Sequence, residues 1–477
     1  MGHPAHWASR PFHFLSTRDI SGDTLVPASQ GPSATPVRFA QSDSVTKAHP
    51  QLGYCMRSLF VRFTHVCVLM FLSLLVACGG TSSSNNPSAG PTTGGNGSGS
   101  GSSGSGSPGS GSGGSGSSGS GGGSSNSFVS YVYAATTSSI SGYGVNSNGS
   151  LTPLSGSPYS ASTAQGTNMV TNGANLYAIA EGNTNLDIFS INKSSGALTP
   201  ANGTSAITGD PNHGDPAWGL ALDHTGASLY VDVGLTDFNG GVNAFTVGSG
   251  SSAQQFQYLA TGAVAFPPLV FSPNNQYAYS STCFYRSEGL YAFTRASDGT
   301  LKGMTRGLVT EPTVQGEAFC PATLAVSAKG YMAIVWVRDW MCCGAPGNQV
   351  QVMTYKINSD GTLAAISGSQ VQTASTTDQN SAYNVVANFD PSGSILAMAG
   401  NGGLQTYSLN GNGILTPGGS PQDAGVKFHN IAWDSSNHVF ATNDTQLYVF
   451  NSGNGLLAPA SGSPYAGGPG LAVLPLQ

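Results

Sequence analysis

NGSLTPLSGSPY, residues 148–159, returns near the other end of the chain as NGLLAPASGSPY, residues 454–465. Weaker copies of its first half read SGALTP at 195–200, DGTL at 298–301, DGTL at 360–363 and NGILTPGGSP at 412–421. Each copy follows a short aromatic and β-branched run, so the unit is a strand, a tight turn and a second strand, repeated.

Working outward from these turns, the rest of each period also resolves into strands. One series reads NMVTNG (168–173), WGLALD (218–223), PLVFS (268–272), TLAVS (323–327), NVVANFD (384–390) and NIAWD (430–434). Turns such as HTGA, PNNQ, AKG, PSG and SSN lead from these into LYAIA, LYVDV, YAYSS, AIVWV, LAMAG and VFATN. A third run follows, LDIFSIN, VNAFTV, LYAFTR, VMTYKI, LQTYSL and LYVF, and the fourth begins at the NG-type turn. Gly149, Gly196, Gly299, Gly361, Gly413 and Gly455 mark the period. The interval from Gly196 to Gly299 spans two units, with GSGSS standing in for the missing turn.

Four strands per unit and seven units predict an all-β chain, a seven-bladed β-propeller of four-stranded antiparallel blades over residues 128–477. The first unit supplies only three strands, because SYVYAA (130–135) is already of the second type. The last segment, GLAVLPLQ (470–477), is an extra strand of the first type. Pairing it into the first blade closes the ring and removes an open edge.

Composition narrows the function classes. Charged residues make up only 8% of the chain and glycine contributes 67 positions, against about 25% charged residues in an ordinary soluble protein. Solvation must come from Ser, Thr, Asn, Gln and turn backbone, as in an exported β-rich protein. A net charge of −6 without a run of Lys or Arg gives no footprint for nucleic acid. HExxH, CxxC, GxSxG and phosphate-loop patterns are all missing from the sequence, so neither a metal nor a cofactor is expected.

The N-terminal part divides three ways. Residues 1–55 carry no core-forming period and read as disordered or not translated, with Met56 a natural start. Residues 56–77 combine Arg57 and Arg62 with the apolar run 66–77, an export signal. Leu75-Val76-Ala77-Cys78 resembles the bacterial lipobox, which implies cleavage before Cys78 and its lipidation, and hence a membrane anchor. Gly79 directly after the cysteine resembles lipoproteins sorted to the outer membrane. Residues 78–127 form a Gly/Ser-rich tether with an r.m.s. reach of roughly 35–40 Å.

In an up-and-down blade the connections after strands two and four emerge on one face. That face collects Glu181, Asn183, Asp237, Arg286 and Glu288, then Arg338, Asp339, Asn443 and Asp444, from second-to-third loops. The blade-to-blade loops add His213, Asp215, Glu317, Asp378, Lys427 and His429. In a chain so poor in charge this clustering is the site signal. Four cysteines fall in the domain, Cys283, Cys320, Cys342 and Cys343, an even number that suits disulfides with three possible connectivities.

The stretches YVYAATTSSISGYGVNSNGSLTPLSGSPY (131–159) and LYVDVGLTDFNGGVNAFTV (229–247), with the D/S-x-x-G turns before second strands, resemble the lactonase-type seven-bladed propellers, the 6-phosphogluconolactonase and carboxymuconate cyclase family. The resemblance implies His, Arg and Glu side chains on the charged face acting on a lactone by general acid-base chemistry. His213, in DPNHGDPAWGLALD, matches a family histidine before an inner strand; Arg286 and Glu317 stand near the other two roles. Glu181, Asp215, Arg338 and His429 become substrate contacts. The fourth blade begins AVAFPPLVFS, without the family's Arg-His pair, and the fifth FCPATLAVS, without its Glu. The expected partner is therefore a small lactone or carboxylate or, if the site is lost, a surface protein or glycan bound by a non-catalytic propeller; the protein is read as a monomer.

Overall fold

The repeated turn closes the same way in four of its copies. The Asn146 N–H donates to the Ser150 carbonyl at 2.9 Å and the Gly149 N–H to the Asn146 carbonyl at 2.9 Å. Residues 296–300, 358–362 and 410–414 repeat both bonds. Gly149 sits at φ 81°, the left-handed conformation that a three-residue hairpin loop ending in a bulge demands.

The computed structural model describes residues 127–476 except 137, 162–167, 180–184, 202–204, 207–216, 235–239, 249–251, 262–268, 283–288, 308, 315–318, 339–348 and 377–384. Its strands form seven antiparallel sheets arranged as the blades of a propeller. The innermost strands of blades two to seven are Asn168–Thr171, Ala217–Leu222, Val270–Phe271, Phe319–Ser327, Val386–Phe389 and Asn430–Trp433. The third blade is complete, with Ala217–Leu222, Ser228–Val233, Gly241–Thr246 and Gln254–Ala260 in spatial order, so the interval without an NG-type turn still holds a paired third and fourth strand.

Blade one takes its innermost strand from the C-terminus. Gly470–Pro475 runs antiparallel to Ser130–Ala135, in register from Ala135 opposite Gly470 to Ser130 opposite Pro475. The ring is thus closed by the two ends of the domain.

Apolar alternation along each strand sends one face to the preceding blade and the other to the next, and the core lies in seven clusters, one per seam. Leu229, Val231 and Val233 pack with Tyr177 and Ile179 of blade two. Tyr230, from the same strand, joins Leu269 and Phe271 of blade four. A blade buries both faces only because it has neighbours, which explains why the units cannot stand alone.

The turns also lock the seams. The Tyr133 hydroxyl donates to the Gly196 carbonyl at 2.8 Å, Tyr230 to Gly299 at 2.6 Å and Tyr279 to Gly361 at 2.8 Å, each from one blade to the next. Thr354 and Thr406 make the equivalent bonds to Gly413 and Gly455. At the closing seam the Asn451 side-chain amide donates to the Asn148 carbonyl at 3.3 Å. There too, buried Asp434 of blade seven accepts from the Ser130 hydroxyl at 2.9 Å and pairs with the His438 Nδ1 at 2.7 Å. Bonds to His438 and Ser130 hold the Asp434 carboxyl below the usual carboxylate range even though burial pushes the other way.

One difference from the four-strand expectation has a clear cause. In blades one, two, five and seven a further short strand pairs with the third strand beyond the outer one: Tyr159–Ser160, Ser205–Ala206, Val371–Thr376 and Tyr465–Ala466. In blades one, five and seven the outer edge is one strand broken by LSGSP, ISGSQ or ASGSP. At each break the second serine accepts the third-strand amide left over: Gly142 N–H to Ser157 Oγ at 2.9 Å, Thr354 to Ser369 at 3.1 Å and Val449 to Ser463 at 3.0 Å. The hydroxyl satisfies a donor that the ladder abandons. The Ser157-Pro158 and Ser463-Pro464 peptides in these breaks are cis.

Candidate functional site

Blade seven supplies the described part of the charged face. Phe428, fully buried, stacks edge-on against Tyr448 with ring centroids 5.1 Å apart. Its neighbour His429 donates its backbone N–H to the Thr442 carbonyl at 2.7 Å, extending the ladder of Asn430–Trp433 by one residue. Two adjacent residues are thereby fixed with opposite destinations, one in the core and one at the rim.

Asp444 comes from the other class of loop. It sits in the tight turn 443–446, where the Asn443 side-chain oxygen accepts from the Thr445 N–H at 3.0 Å and the Gln446 N–H at 2.8 Å. Its Oδ1 lies 2.8 Å from His429 Nε2. The bond joins a blade-to-blade loop to a second-to-third loop, as up-down alternation requires of loops on one face.

Exposure differs across the pair, 25% for the His429 side chain and 84% for Asp444, so the imidazole is sheltered and the carboxylate is wet. With Oδ1 as acceptor, the proton of a neutral imidazole resides on Nε2. That leaves Nδ1, which makes no hydrogen bond among the described residues, as a base. Exposed Asp423 stands nearby at φ 47°. Burial and its charge raise the Tyr448 hydroxyl above the ordinary tyrosine value, partly offset by Asn443, which leaves the phenol neutral and donating to Gln446 Oε1 at 2.8 Å. Lys427 is exposed beside Phe428. A histidine held by a carboxylate, with a lysine and a neutral phenol close in sequence or space, can exchange a proton with a polar ligand and attract an anionic one.

Of the catalytic and substrate-contact residues that the resemblance implies, only His429 has a described side chain. Arg338 lies opposite Phe319 at the end of the second strand of blade five, which puts its backbone on the expected face. His213, Arg286, Glu317, Glu181 and Asp215 lie outside the described residues, as do Cys78, Cys283, Cys342 and Cys343. Cys320 is the second residue of the innermost strand of blade five, 2% exposed. No group of His, Cys, Asp and Glu able to hold a metal occurs among the described residues. Asp444, the partner of His429, had no distinguishing signal beyond its loop position, because its role depends on a contact fifteen residues away in sequence.

No known family description matches the sequence and no curated protein does. Solved structures are similar in fold. The periplasmic gluconolactonase PpgL of Pseudomonas aeruginosa superposes with a TM-score of 0.52 at 16% identity, over 73% of this chain and 99% of that one. A provisional 6-phosphogluconolactonase from Bacteroides fragilis gives 0.55 at 16% identity, over 72% and 98%. Another from Bacteroides uniformis gives 0.52 at 16%, over 72% and 99%. The chain is therefore similar to lactonase-like seven-bladed propellers across nearly the whole of each.

Proposed function

We propose that the protein is an exported hydrolase that opens a lactone of a sugar acid or a related small carboxylate on the face where His429 and Asp444 meet. The observation that carries this reading is the His429–Asp444 bond, an acid-base pair at a propeller mouth. In the reaction, His429 Nδ1 removes a proton from water as its oxygen attacks the lactone carbonyl. The tetrahedral intermediate then expels the ring alkoxide, which takes the proton back from the imidazolium. Asp444 holds the tautomer and stabilises the cation between the two steps. His213, Arg286 and Glu317 are proposed to complete the catalytic set, with Glu181, Asp215 and Arg338 as substrate contacts.

The names of the similar structures support the substrate class, and the periplasmic address of one supports an envelope location. Residues 56–77 are proposed as the signal, Cys78 as the lipidated anchor in the outer membrane, and 78–127 as the tether of a monomer. A disulfide at Cys320 is supported by its burial. Mass spectrometry of detergent-extracted, unreduced protein reads both modifications; an unmodified Cys78 or four free thiols rejects the corresponding proposal.

A screen of sugar-acid lactones with the full-length protein tests the reaction. His429→Ala is expected to lower kcat/KM by about 10²-fold or more, the scale of a general base, and Asp444→Asn to lower it less. Absence of hydrolysis in the wild type, or undiminished hydrolysis in His429→Ala, rejects the reading. The alternative, a non-catalytic binding propeller, is favoured by the missing Arg-His pair and Glu in blades four and five; a bound protein or glycan without turnover would select it.

A further inference from the structure

Asp232 is the one aspartate of the second strands Ser228–Val233 and its equivalents that is wholly enclosed, with no exposed surface and no hydrogen bond to either carboxylate oxygen among the described residues. It stands opposite Gly219, next to the irregularity between Ala217 and Gly219, at the end of blade three that leads into the candidate face. Two residues on, the Gly234 carbonyl accepts from the Trp218 indole at 2.7 Å. Its side chain shares a strand face with Tyr230, so it points into the seam with blade four, among Val242, Leu269 and Phe271.

The other blades show what this position needs. Counting from the seam tyrosine or its equivalent, it is filled by Ala135, Ile179, Val335 and Ala399, each buried in the seam with the next blade. Ser281 and Thr442 fill it in the remaining two. Four apolar occupants mean that packing does not require a polar group there. Thr442 shows what a donor can do, since its hydroxyl gives a 2.9 Å hydrogen bond to the Pro469 carbonyl across the seam. A carboxylate has no proton to give; a carboxylic acid has one.

We propose that Asp232 is kept as a neutral carboxylic acid and acts as a proton-dependent latch between blades three and four, tight when protonated and loosened by ionisation, beneath the candidate face. Burial pushes its carboxyl well above the usual carboxylate range; the Leu269 backbone N–H, near the carboxyl but outside hydrogen-bond geometry, only partly opposes this. Among the described residues no cation faces it to compensate a charge. Among the described residues the titratable groups on this seam are Tyr230, Tyr291, His224 and the Asp223–Arg295 pair. Arg295 is engaged at the far end, on Asp223, the Tyr230 hydroxyl and Ser228. Ser228 lies four residues from Asp232, about 13 Å along the strand.

The sign follows from linkage. With its folded value raised, the folded protein binds the proton more tightly than the unfolded chain. Stability from this group is complete below the unfolded value and falls as pH rises through to the folded value. Asp434 works oppositely and in another window, its lowered value costing stability only as pH falls below the ordinary carboxylate range.

The test measures thermal midpoints of the full protein from roughly pH 8 to pH 5 for wild type, Asp232→Asn and Asp232→Val, the last being the residue of blade five. Relative to either variant, the wild-type folding constant is expected to gain up to about tenfold per pH unit on acidification. An infrared difference spectrum near neutral pH should show the carbonyl stretch of a protonated carboxyl in wild type that both variants lack. Parallel pH profiles, or no such band, overturn the latch. Because the band belongs to the wild type, a variant that folds poorly does not remove the test.

Discussion

Deleting residues 470–477 is expected to abolish the single cooperative unfolding transition. The strand Gly470–Pro475 is the whole innermost layer of blade one, laddered along six residues of Ser130–Ala135. Removing it exposes the inner edge of Ser130–Ala135 and takes Leu471 and Ala472 out of two seam clusters at once, those with blades seven and two. Burial of a leucine alone is worth about 1.5–3 kcal/mol. The greater loss is that blades one and seven part, while the total stability available to a domain is only about 5–15 kcal/mol. Circular dichroism melting of the truncated protein checks this, and an unchanged midpoint would mean that the ring closes elsewhere.

The second large effect is expected at a turn. Gly361 has φ 82°, and a Cβ there would lie 2.4 Å from the ring of Tyr277, packed from the preceding blade. Its carbonyl receives the Tyr279 hydroxyl. Gly361→Ala therefore combines a left-handed backbone penalty of about 1–2 kcal/mol with overpacking of about 1–3 kcal/mol. A fall in stability of about 2–5 kcal/mol follows, read by denaturant melting. Gly411→Ala is the control, because a Cβ at Gly411 meets nothing within 4 Å. Equal midpoints for the two variants would show that the turn does not bear on the seam.

These two effects show which parts of the structure are legible in the sequence. A short apolar run bounded by Gly, Asn or Asp is a local signal, so blade number, strand order and closure by GLAVLPLQ could all be read from residue types alone. The NG turn announces its conformation, because glycine is favoured where φ is positive. Its second task is not local: the Gly149 and Gly361 turns receive side chains from another blade, and nothing within the motif reports that. The SGS break was not legible, because a hydroxyl that replaces a ladder partner leaves no mark on the local pattern.

The site was less legible for the same reason. His429 could be assigned to a face by counting strands, but its bond to Asp444 depends on two loops being brought together by the blade. Asp232 was hidden differently. LYVDV alternates as any half-buried strand does, and only comparison with Ile179, Val335 and Ala399 at the same level exposes the carboxyl as an exception. Irregular residues within a repeat carry the functional information because the fold does not ask for them.

Ligands are expected to act at the face holding His429 and Asp444, opposite the repeated turns. Hydrogen exchange of the full-length protein, with and without a saturating sugar-acid lactone or the carboxylate it releases, tests this directly. The expected result is slower exchange at residues 428–430 and 443–446, with the turns at 147–149 and 359–361 unchanged. Protection at those turns, with none in the blade-seven loops, would contradict it.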